Sequence, residues 1–292
     1  MKSAITVLFL SLTLFLSCNK TKTEPAPATG YKILFQFKFD STLARLDNFG
    51  NPAEIPAGNA AVSPKFNSMS AHYIEFAPNK FTQVGNGQVL YRAPETSAGG
   101  SLAIDFNKSV IAKESEVFFS VPVSSVAPGT YEYLRVSLAY QNFEIPFKYQ
   151  YLGNEYKAVG TLASFVGFNT YISKYKIKDL EETVNGNKKQ GYWGFETLGQ
   201  IYTGQAPEGS TTVPNPIHFE SPIPPGSCLV TGKFESPLII PASPTQDITI
   251  VVAVSTNKSF EWQDGNADGW FQPDLDEKVV DMGIRGIYPI IE

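Results

Sequence analysis

Apolar and polar residues alternate along much of the chain, and residues 31–40, YKILFQFKFD, show this most clearly. Ile33, Phe35 and Phe37 fall on one side of an extended backbone, and polar residues fall on the other. Successive side chains of a β-strand point to opposite faces of the sheet. The alternation therefore predicts a strand with one buried face.

Further segments are rich in β-branched and aromatic residues, with Gly, Pro and Asn between them, which is typical of strands. They are residues 73–76, 88–91, 116–122, 131–140, 157–168, 228–234, 247–255 and 285–291. Many strands at this spacing, without alternating helices, favour two packed sheets over a parallel α/β fold. We expect an all-β protein, an antiparallel β-sandwich with long loops.

Three connections leave alternatives open. Residues 174–187 fit a helix or a continued strand equally well. The turn at 124–130, SSVAPGT, is either a hairpin or a corner between sheets. The proline-rich segment 202–227 is a long surface loop or a linker. We expect one sandwich domain over residues 31–292, with a second small domain starting at about 228 as the alternative.

The N-terminus has the features of an export signal. Lys2 precedes an apolar run over residues 4–16, which is too short to span a bilayer but suits a signal peptide. The ending LFLSC resembles the bacterial lipobox. This resemblance implies that residues 1–17 are removed and Cys18 is lipidated, with residues 18–30 as a polar tether. We expect an outer-membrane lipid anchor, on the periplasmic or surface face.

Composition narrows the possible partners. The chain has 23 basic and 28 acidic residues, a net charge of −5 and no basic cluster. Nucleic-acid binding needs clustered Lys and Arg, so we expect no nucleic-acid partner. Cys228 is the only cysteine besides Cys18, so no structural disulfide is expected. Its thiol is either a small buried hydrophobe or a reactive group.

Near the C-terminus, the stretch DGNADG resembles the start of a calcium loop. Asp264, Asn266 and Asp268 alternate, Gly269 permits a sharp bend, and the Trp270 carbonyl stands where a main-chain ligand is expected. Calcium prefers about six to eight oxygen ligands, which alternate residues of a tight turn can direct to one centre. The sequence therefore predicts a calcium site, and a polar hairpin of Asx-turns is the alternative.

The calcium loop lacks its usual last ligand, because Leu275 occupies the position of the bidentate Glu. Acids that follow in the chain are the candidates to replace it. They are Asp274, Asp276, Glu277 and Asp281.

Two of the three tryptophans are candidate ligand-binding residues. Trp262 and Trp270 flank the acidic loop, and Trp193 lies in GYWGFE. An exposed indole beside calcium can stack on the apolar face of a sugar ring. The alternative is that Trp262 and Trp270 pack beneath the loop as core.

No HExxH, GxSxG or CxxC motif occurs in the sequence. His72 and His218 are the only histidines, and no local pattern marks a nucleophile for either. A glycosidase needs only two suitably separated carboxylates, so it is the alternative if the chain is an enzyme. We expect no enzymatic activity.

The whole chain resembles envelope lipoproteins of Bacteroidota-type bacteria. Four motifs also resemble β-sandwich partner proteins of the methanobactin-associated type, some of which bind copper: DNFG (47–50), MSAHYIEFAP (69–78), LAIDF (102–106) and VAPGTYEYLRVSL (126–138). This second resemblance covers roughly residues 31–200 and implies a sandwich with a metal-binding role for His72. Two histidines and three methionines are few ligands for copper.

These observations predict a non-enzymatic, outer-membrane-anchored lipoprotein that is a calcium-stabilised binding module for a glycan or a protein. Trp262, Trp270 and His72 are its candidate ligand-binding residues. The alternatives are a copper-binding partner protein and, less expected, a carboxylate-pair glycosidase.

Overall fold

The computed structural model describes residues 30–210 and 213–292. The predicted signal peptide, Cys18 and the tether before Gly30 lie outside the described residues. Within the described ranges the secondary structure is β-strand apart from three single-turn 3-10 helices, which confirms the all-β prediction. None of the helices in these ranges is long and apolar enough to cross a membrane.

The strands are numbered in chain order. They are β1 Lys32–Asp40, β2 Asn59–Val62, β3 Lys65–Ala77, β4 Gln88–Arg92, β5 Glu95–Thr96, β6 Ala103–Asp105, β7 Val117–Pro122, β8 Gly129–Tyr151, β9 Asn154–Phe165, β10 Asn169–Lys176, β11 Glu181–Lys189, β12 Tyr192–Thr197, β13 Gln200–Gln205, β14 Leu229–Ile240, β15 Ile248–Ser255, β16 Phe260–Gln263, β17 Val279–Asp281 and β18 Ile287–Ile291. The 3-10 helices span Phe106–Lys108, Val123–Ser125 and Pro273–Leu275.

Two sheets pack face to face around the main core. The first sheet has the order β18-β15-β1-β7, and the large sheet has the order β13-β12-β9-β8-β3-β4, with β14 paired to the start of β8. Phe35 of β1 is fully buried, and its ring centroid lies 5.9 Å from that of Phe76 of β3. Ile33 and Phe37 are buried beside Phe35, as the alternation in residues 31–40 predicts.

The segment 124–130 connects these two sheets. β7 pairs with β1 in the first sheet, whereas β8 is the central strand of the large sheet. The connection is therefore a corner between sheets, because the strands on its two sides do not pair with each other.

The large sheet curls because its central strand is long and its neighbour is bulged. β8 has 23 residues and pairs with β14 in its first half, with β3 through its middle and with β9 along its second half. Register shifts interrupt the β3–β8 pairing at Phe66/Ser68, Ser70/Ala71 and Ala71/Tyr73. Bulges bend a strand and increase its twist. The end of β8 thus forms a concave face with β9, β12 and β13.

A small sheet of order β17-β16-β2 packs on this concave face. Phe260 of β16 is buried with its ring centroid 6.4 Å from that of Phe143 of β8. The Lys148 N–H donates to the carbonyl of Phe271 at 2.8 Å, which ties the segment after β16 to the same strand. The C-terminal region therefore covers the concave face.

Residues 174–187 form the end of β10, a turn and the start of β11. The helical alternative for this segment is wrong. Tyr175 of β10 is buried with its ring centroid 5.1 Å from that of Phe165, in an aromatic cluster that an extended strand reaches. These strands belong to a third sheet of order β11-β10-β6-β5.

The strands after residue 228 complete sheets that the N-terminal strands begin. β14 pairs with β8, and β15 pairs with β1. The β1–β15 pairing is parallel, as is β6–β10, within otherwise antiparallel sheets. The proline-rich segment 202–227 begins in β13 and continues into turns; its residues 211 and 212 lie outside the described residues.

Candidate functional site

A cavity of about 470 Å³ lies between the concave face of the large sheet and the C-terminal segment that covers it. Ligand pockets in proteins typically enclose roughly 300–1,000 Å³. The floor of the cavity is formed by Ile145, Phe147, Tyr149, Gln150, Leu162, Trp193, Phe195, Thr197, Leu198 and Tyr202. Its cover is formed by Phe260, Phe271, Pro273, Asp274, Val279 and Met282.

The floor follows from two alternating strands. Ile145, Phe147 and Tyr149 share one face of β8, and Trp193, Phe195 and Thr197 share one face of β12. The rings of Phe147 and Phe195 meet edge to face, with centroids 5.6 Å apart. Aromatic side chains therefore form most of this surface.

Two glycines let the aromatic rings lie close to the sheet. A Cβ added at Gly160 of β9 would come within 2.1 Å of the Phe195 ring. A Cβ added at Gly204 of β13, directly opposite Trp193 in the ladder, would come within 2.4 Å of the Trp193 ring. Glycine in a strand often marks such a close approach. Because these rings lie close to the backbone of the sheet, they leave the space above them open as the cavity.

Polar groups lie at one end of the cavity. Gln150 and Thr197 lie toward the edge of the sheet that contains the β8–β9 and β12–β13 turns. Asp274 joins them there, since its Oδ2 accepts the Gln150 N–H at 2.7 Å. The Thr197 side chain is only 8% exposed, and its Oγ1 has no hydrogen-bond partner within the described ranges.

The opposite end of the cavity is apolar. Trp193 lies opposite Ser164 in the β9–β12 ladder, and Ser164 lies opposite Gln141 in β8. The Gln141 side chain donates to the Met282 carbonyl, which places Met282 at the same level of the sheet as Trp193. The cavity thus has an inner apolar end and an outer end with polar groups.

The acidic loop leads directly into the cover of the cavity. Asp264 Oδ2 accepts the Gly269 N–H at 2.9 Å, and Asp264 Oδ1 and Asn266 Oδ1 both accept the Asp268 N–H at 3.2 Å. Gly269 has a φ of +74°, which a glycine adopts at no steric cost. The Asx-turns that were the alternative to a calcium site are present, and they bring the three alternating side chains to one side of the turn.

Asp268 is also paired with a lysine. Its Oδ2 lies 2.8 Å from Lys148 Nζ, and this hydrogen bond lowers the pKa of the Asp268 carboxyl. Lys148 Nζ lies 3.1 Å from a Glu155 carboxylate oxygen as well. A calcium ion at the loop would therefore share the Asp268 carboxylate with Lys148 or displace the lysine.

The acids downstream of the loop lie in different surroundings. Burial raises the pKa of Glu277, and the nearby carboxylates of Asp264 and Asp268 raise it further. Glu277 accepts the N–H groups of Gly265 and Gln272, which places it at the loop.

Three other predicted ligands are placed elsewhere. Asp274 binds the Gln150 N–H, Asp276 is exposed in the left-handed conformation, and Asp281 forms a buried ion pair with Arg285. Of the acids after Gly269, Glu277 is thus the one that joins the loop side chains. Within the described ranges, no three His, Cys, Asp or Glu side chains form a metal-binding group. The oxygen donors of Asp264, Asn266, Asp268 and the Trp270 carbonyl suit a hard cation such as calcium.

The two tryptophans that flank the loop differ in position. Trp262 is 2% exposed and packs against Phe260 and Phe271, with ring centroids 5.9 and 5.7 Å away. Trp270 is half-buried at the surface, and Lys157 Nζ lies 4.2 Å from its ring centroid. Trp262 is thus part of the core, and a cation already covers the Trp270 ring.

His72 lies apart from the cavity, on β3. Its Nε2 is 2.9 Å from Glu95 Oε1, and its ring centroid is 5.6 Å from that of Phe168. Burial lowers the pKa of His72, although the Glu95 carboxylate acts in the opposite direction. His218 lies in the proline-rich segment, where its Nδ1 is 3.1 Å from the Phe49 carbonyl.

Cys228 is half-buried, and its sulfur lies 3.7 Å from the Ser137 hydroxyl.

The cavity was not predicted from the sequence. The alternation of Trp193, Phe195 and Thr197 is the sequence signal that lies nearest to it. That signal does not reveal which strand curls or what covers it. Compared with known proteins, the chain matches no protein-family model, no curated protein and no solved structure.

Proposed function

We propose that this chain is a non-enzymatic binding module, tethered to the outer membrane through a lipid on Cys18, that holds its ligand in the concave cavity. The observation that supports this proposal most is the cavity itself, with its aromatic floor and its separate cover. Largely apolar, preformed pockets with a few polar groups are the usual form of small-ligand sites.

The chemistry of the lining favours binding over catalysis. Asp274 is the one carboxylate among the described residues that line the cavity, whereas a glycosidase places two carboxyl groups around its substrate. Neither histidine is among these lining residues. An apolar lining is sufficient to bind a ligand, whereas catalysis also needs reacting groups.

The cavity is a better candidate for the ligand site than Trp262 and Trp270, which flank the acidic loop. A sugar ring would stack on an exposed indole face, but Lys157 lies over Trp270 and Trp262 is buried. Sugars also require many hydrogen bonds, and most of the cavity lining offers none. We therefore assign the ligand to the cavity.

Calcium has a supporting role in this proposal. The acidic loop, Asp264 to Gly269, is separated from the cover residue Phe271 only by Trp270. An ion held by Asp264, Asn266 and Asp268 would stiffen this loop and fix the start of the cover. Ligand and calcium would then stabilise the same region of the fold.

A fluorescent hydrocarbon tests the binding function. Diphenylhexatriene, which fluoresces in apolar surroundings, is titrated into the purified protein and into two variants. Leu162→Trp fills the cavity from its floor, and we expect at least tenfold weaker binding. Val159→Trp is the matched control, because Val159 is 56% exposed on the other face of the same strand. Binding there should equal that of the unchanged protein.

The proposed function fails if the probe does not bind, or if both variants bind it as the unchanged protein does. Unfolding curves of each variant test whether a loss of binding reflects a loss of the fold. The lipid anchor is tested separately by mass spectrometry of the N-terminal peptide, which should begin at an acylated Cys18.

A further inference from the structure

We propose that the cavity selects a ligand with an apolar body and a neutral or cationic hydrogen-bonding end, such as a long-chain alcohol or amine, with that end at Thr197 and Asp274. This inference rests on the proposed function and adds the chemical class of the ligand and its direction in the cavity.

Polar and apolar lining residues lie at opposite ends of the cavity. Gln150, Thr197 and Asp274 lie at the outer end, near the strand turns, while Trp193 and Met282 lie at the inner end. A ligand that is apolar throughout would leave the buried Thr197 hydroxyl without a hydrogen-bond partner. A ligand that is polar throughout would lose hydrogen bonds to water at the inner end.

The Thr197 hydroxyl marks where the polar end of the ligand lies. Its oxygen is buried without a hydrogen-bond partner among the described residues, and β12 places it on the same face as Trp193 and Phe195. A buried hydroxyl that has lost its water is unfavourable until another group satisfies it. A ligand hydroxyl or amino group at the outer end would do so. Since a hydroxyl both donates and accepts, Thr197 alone does not distinguish the two.

The charge of the lining favours a neutral or cationic end. Asp274 is the only charged side chain among the described lining residues, and one of its oxygens already accepts the Gln150 N–H. The other oxygen is an acceptor for a donor on the ligand. Asp274 is exposed at the outer end. A carboxylate or phosphate end would approach its like charge there, and like charges repel. Fatty acids are therefore disfavoured, although their chains would suit the inner end.

Competition among ligands of one chain length tests this inference. Decanol, decylamine and decanoate are each used to displace diphenylhexatriene from the full protein, below the concentrations at which they form micelles. We expect decanol and decylamine to displace the probe at concentrations at least tenfold lower than decanoate. Equal potency of decanoate would overturn the charge argument while leaving the proposed function in place.

Two variants locate the polar end of the ligand. Thr197→Val keeps the side-chain shape and removes the hydroxyl, so decanol should bind roughly fivefold more weakly while the hydrocarbon probe binds unchanged. Asp274→Asn should narrow the difference between the concentrations at which decylamine and decanoate displace the probe. Unchanged decanol affinity in Thr197→Val would refute the assigned direction. Failure of the probe to bind any form of the protein would instead refute the proposed function.

Discussion

Single residues set the depth of the cavity and the stability of the sheet around it. Gly160 and Gly204 provide the space in which the rings of Phe195 and Trp193 lie. At the opposite end of β8, Arg135 and Glu75 form an ion pair with both side chains fully buried. A single substitution can fill the space at either glycine or break the Arg135–Glu75 ion pair.

Gly160→Ala should lower the free energy of unfolding by about 1–3 kcal/mol, because the new Cβ overlaps the Phe195 ring and overpacks the floor. Urea unfolding measures the change. Gly129→Ala is the control, since a Cβ at Gly129 meets no atom within 4 Å. Its effect should stay within about 0.5 kcal/mol. Equal effects of the two substitutions would show that the close approach of Phe195 does not matter.

Arg135→Met should destabilise the protein by about 3–5 kcal/mol, since it leaves the Glu75 carboxylate buried without its cation. Glu75 also accepts the N–H groups of Gly85 and Gly87, so the loop before β4 depends on the same carboxylate. Lys174→Met breaks the exposed Lys174–Glu181 pair and should cost at most about 1 kcal/mol. A small loss in Arg135→Met would contradict the assigned role of the buried pair.

The contribution of His72 to the free energy of unfolding should fall as the pH decreases below about 6.5. Burial lowers the pKa of His72 in the folded state, so the unfolded chain binds a proton first on acidification. The His72 contribution is thus present above pH 6.5 and is lost as the pH falls toward the folded-state pKa. Urea titrations at several pH values measure this, with a slope of up to about 1.4 kcal/mol per pH unit for one proton.

His72→Gln should flatten this dependence, while His218→Gln, at the half-buried second histidine, should leave it unchanged. The same slope in His72→Gln and in the unchanged protein would assign the effect to other groups.

At the scale of elements, the sequence predicted strands well where one face is buried and apolar. β1 and β15 coincide closely with the predicted segments because their inward positions are continuously apolar. The second half of β8 was missed, although Phe143, Ile145, Phe147 and Tyr149 alternate with polar or proline positions in residues 141–151. Tertiary packing against the C-terminal cover makes that half a strand, and no local pattern reveals the partner.

The acidic loop illustrates the same limit within one element. Its Asx-turns could be predicted because Asp264, Asn266 and Asp268 bond to backbone groups nearby in the chain. Its contact with Lys148 could not, because that lysine lies on β8, more than a hundred residues earlier.

Calcium should raise the thermal midpoint of the protein relative to chelator. A site filled at a hundred times its dissociation constant would contribute about 2.7 kcal/mol. Asp264→Asn should abolish the calcium-dependent shift, because it removes a charged oxygen donor at the loop. Asp179→Asn removes the same charge from a distant turn and should preserve the shift. An identical midpoint in calcium and in chelator would show that the loop is a polar turn only.

Strands from distant parts of the described chain lie side by side in one sheet. The parallel pairing of β1 with β15 places the C-terminal strands beside the first strand, and the remaining C-terminal segment then covers the curled part of the large sheet. The all-β class could be predicted from the spacing of the strands. The curl could not, because it arises from bulges between β3 and β8 that only the paired strands define.

The cavity between the curled sheet and its cover is the proposed ligand site. Anomalous scattering from crystals grown with bromodecanol, brominated at the end away from the hydroxyl, tests this assignment. We predict a bromine peak between Trp193 and Met282, with the hydroxyl within hydrogen-bond distance of Thr197. A bromine peak on the outer surface, or an empty cavity at saturating ligand, would contradict the claim.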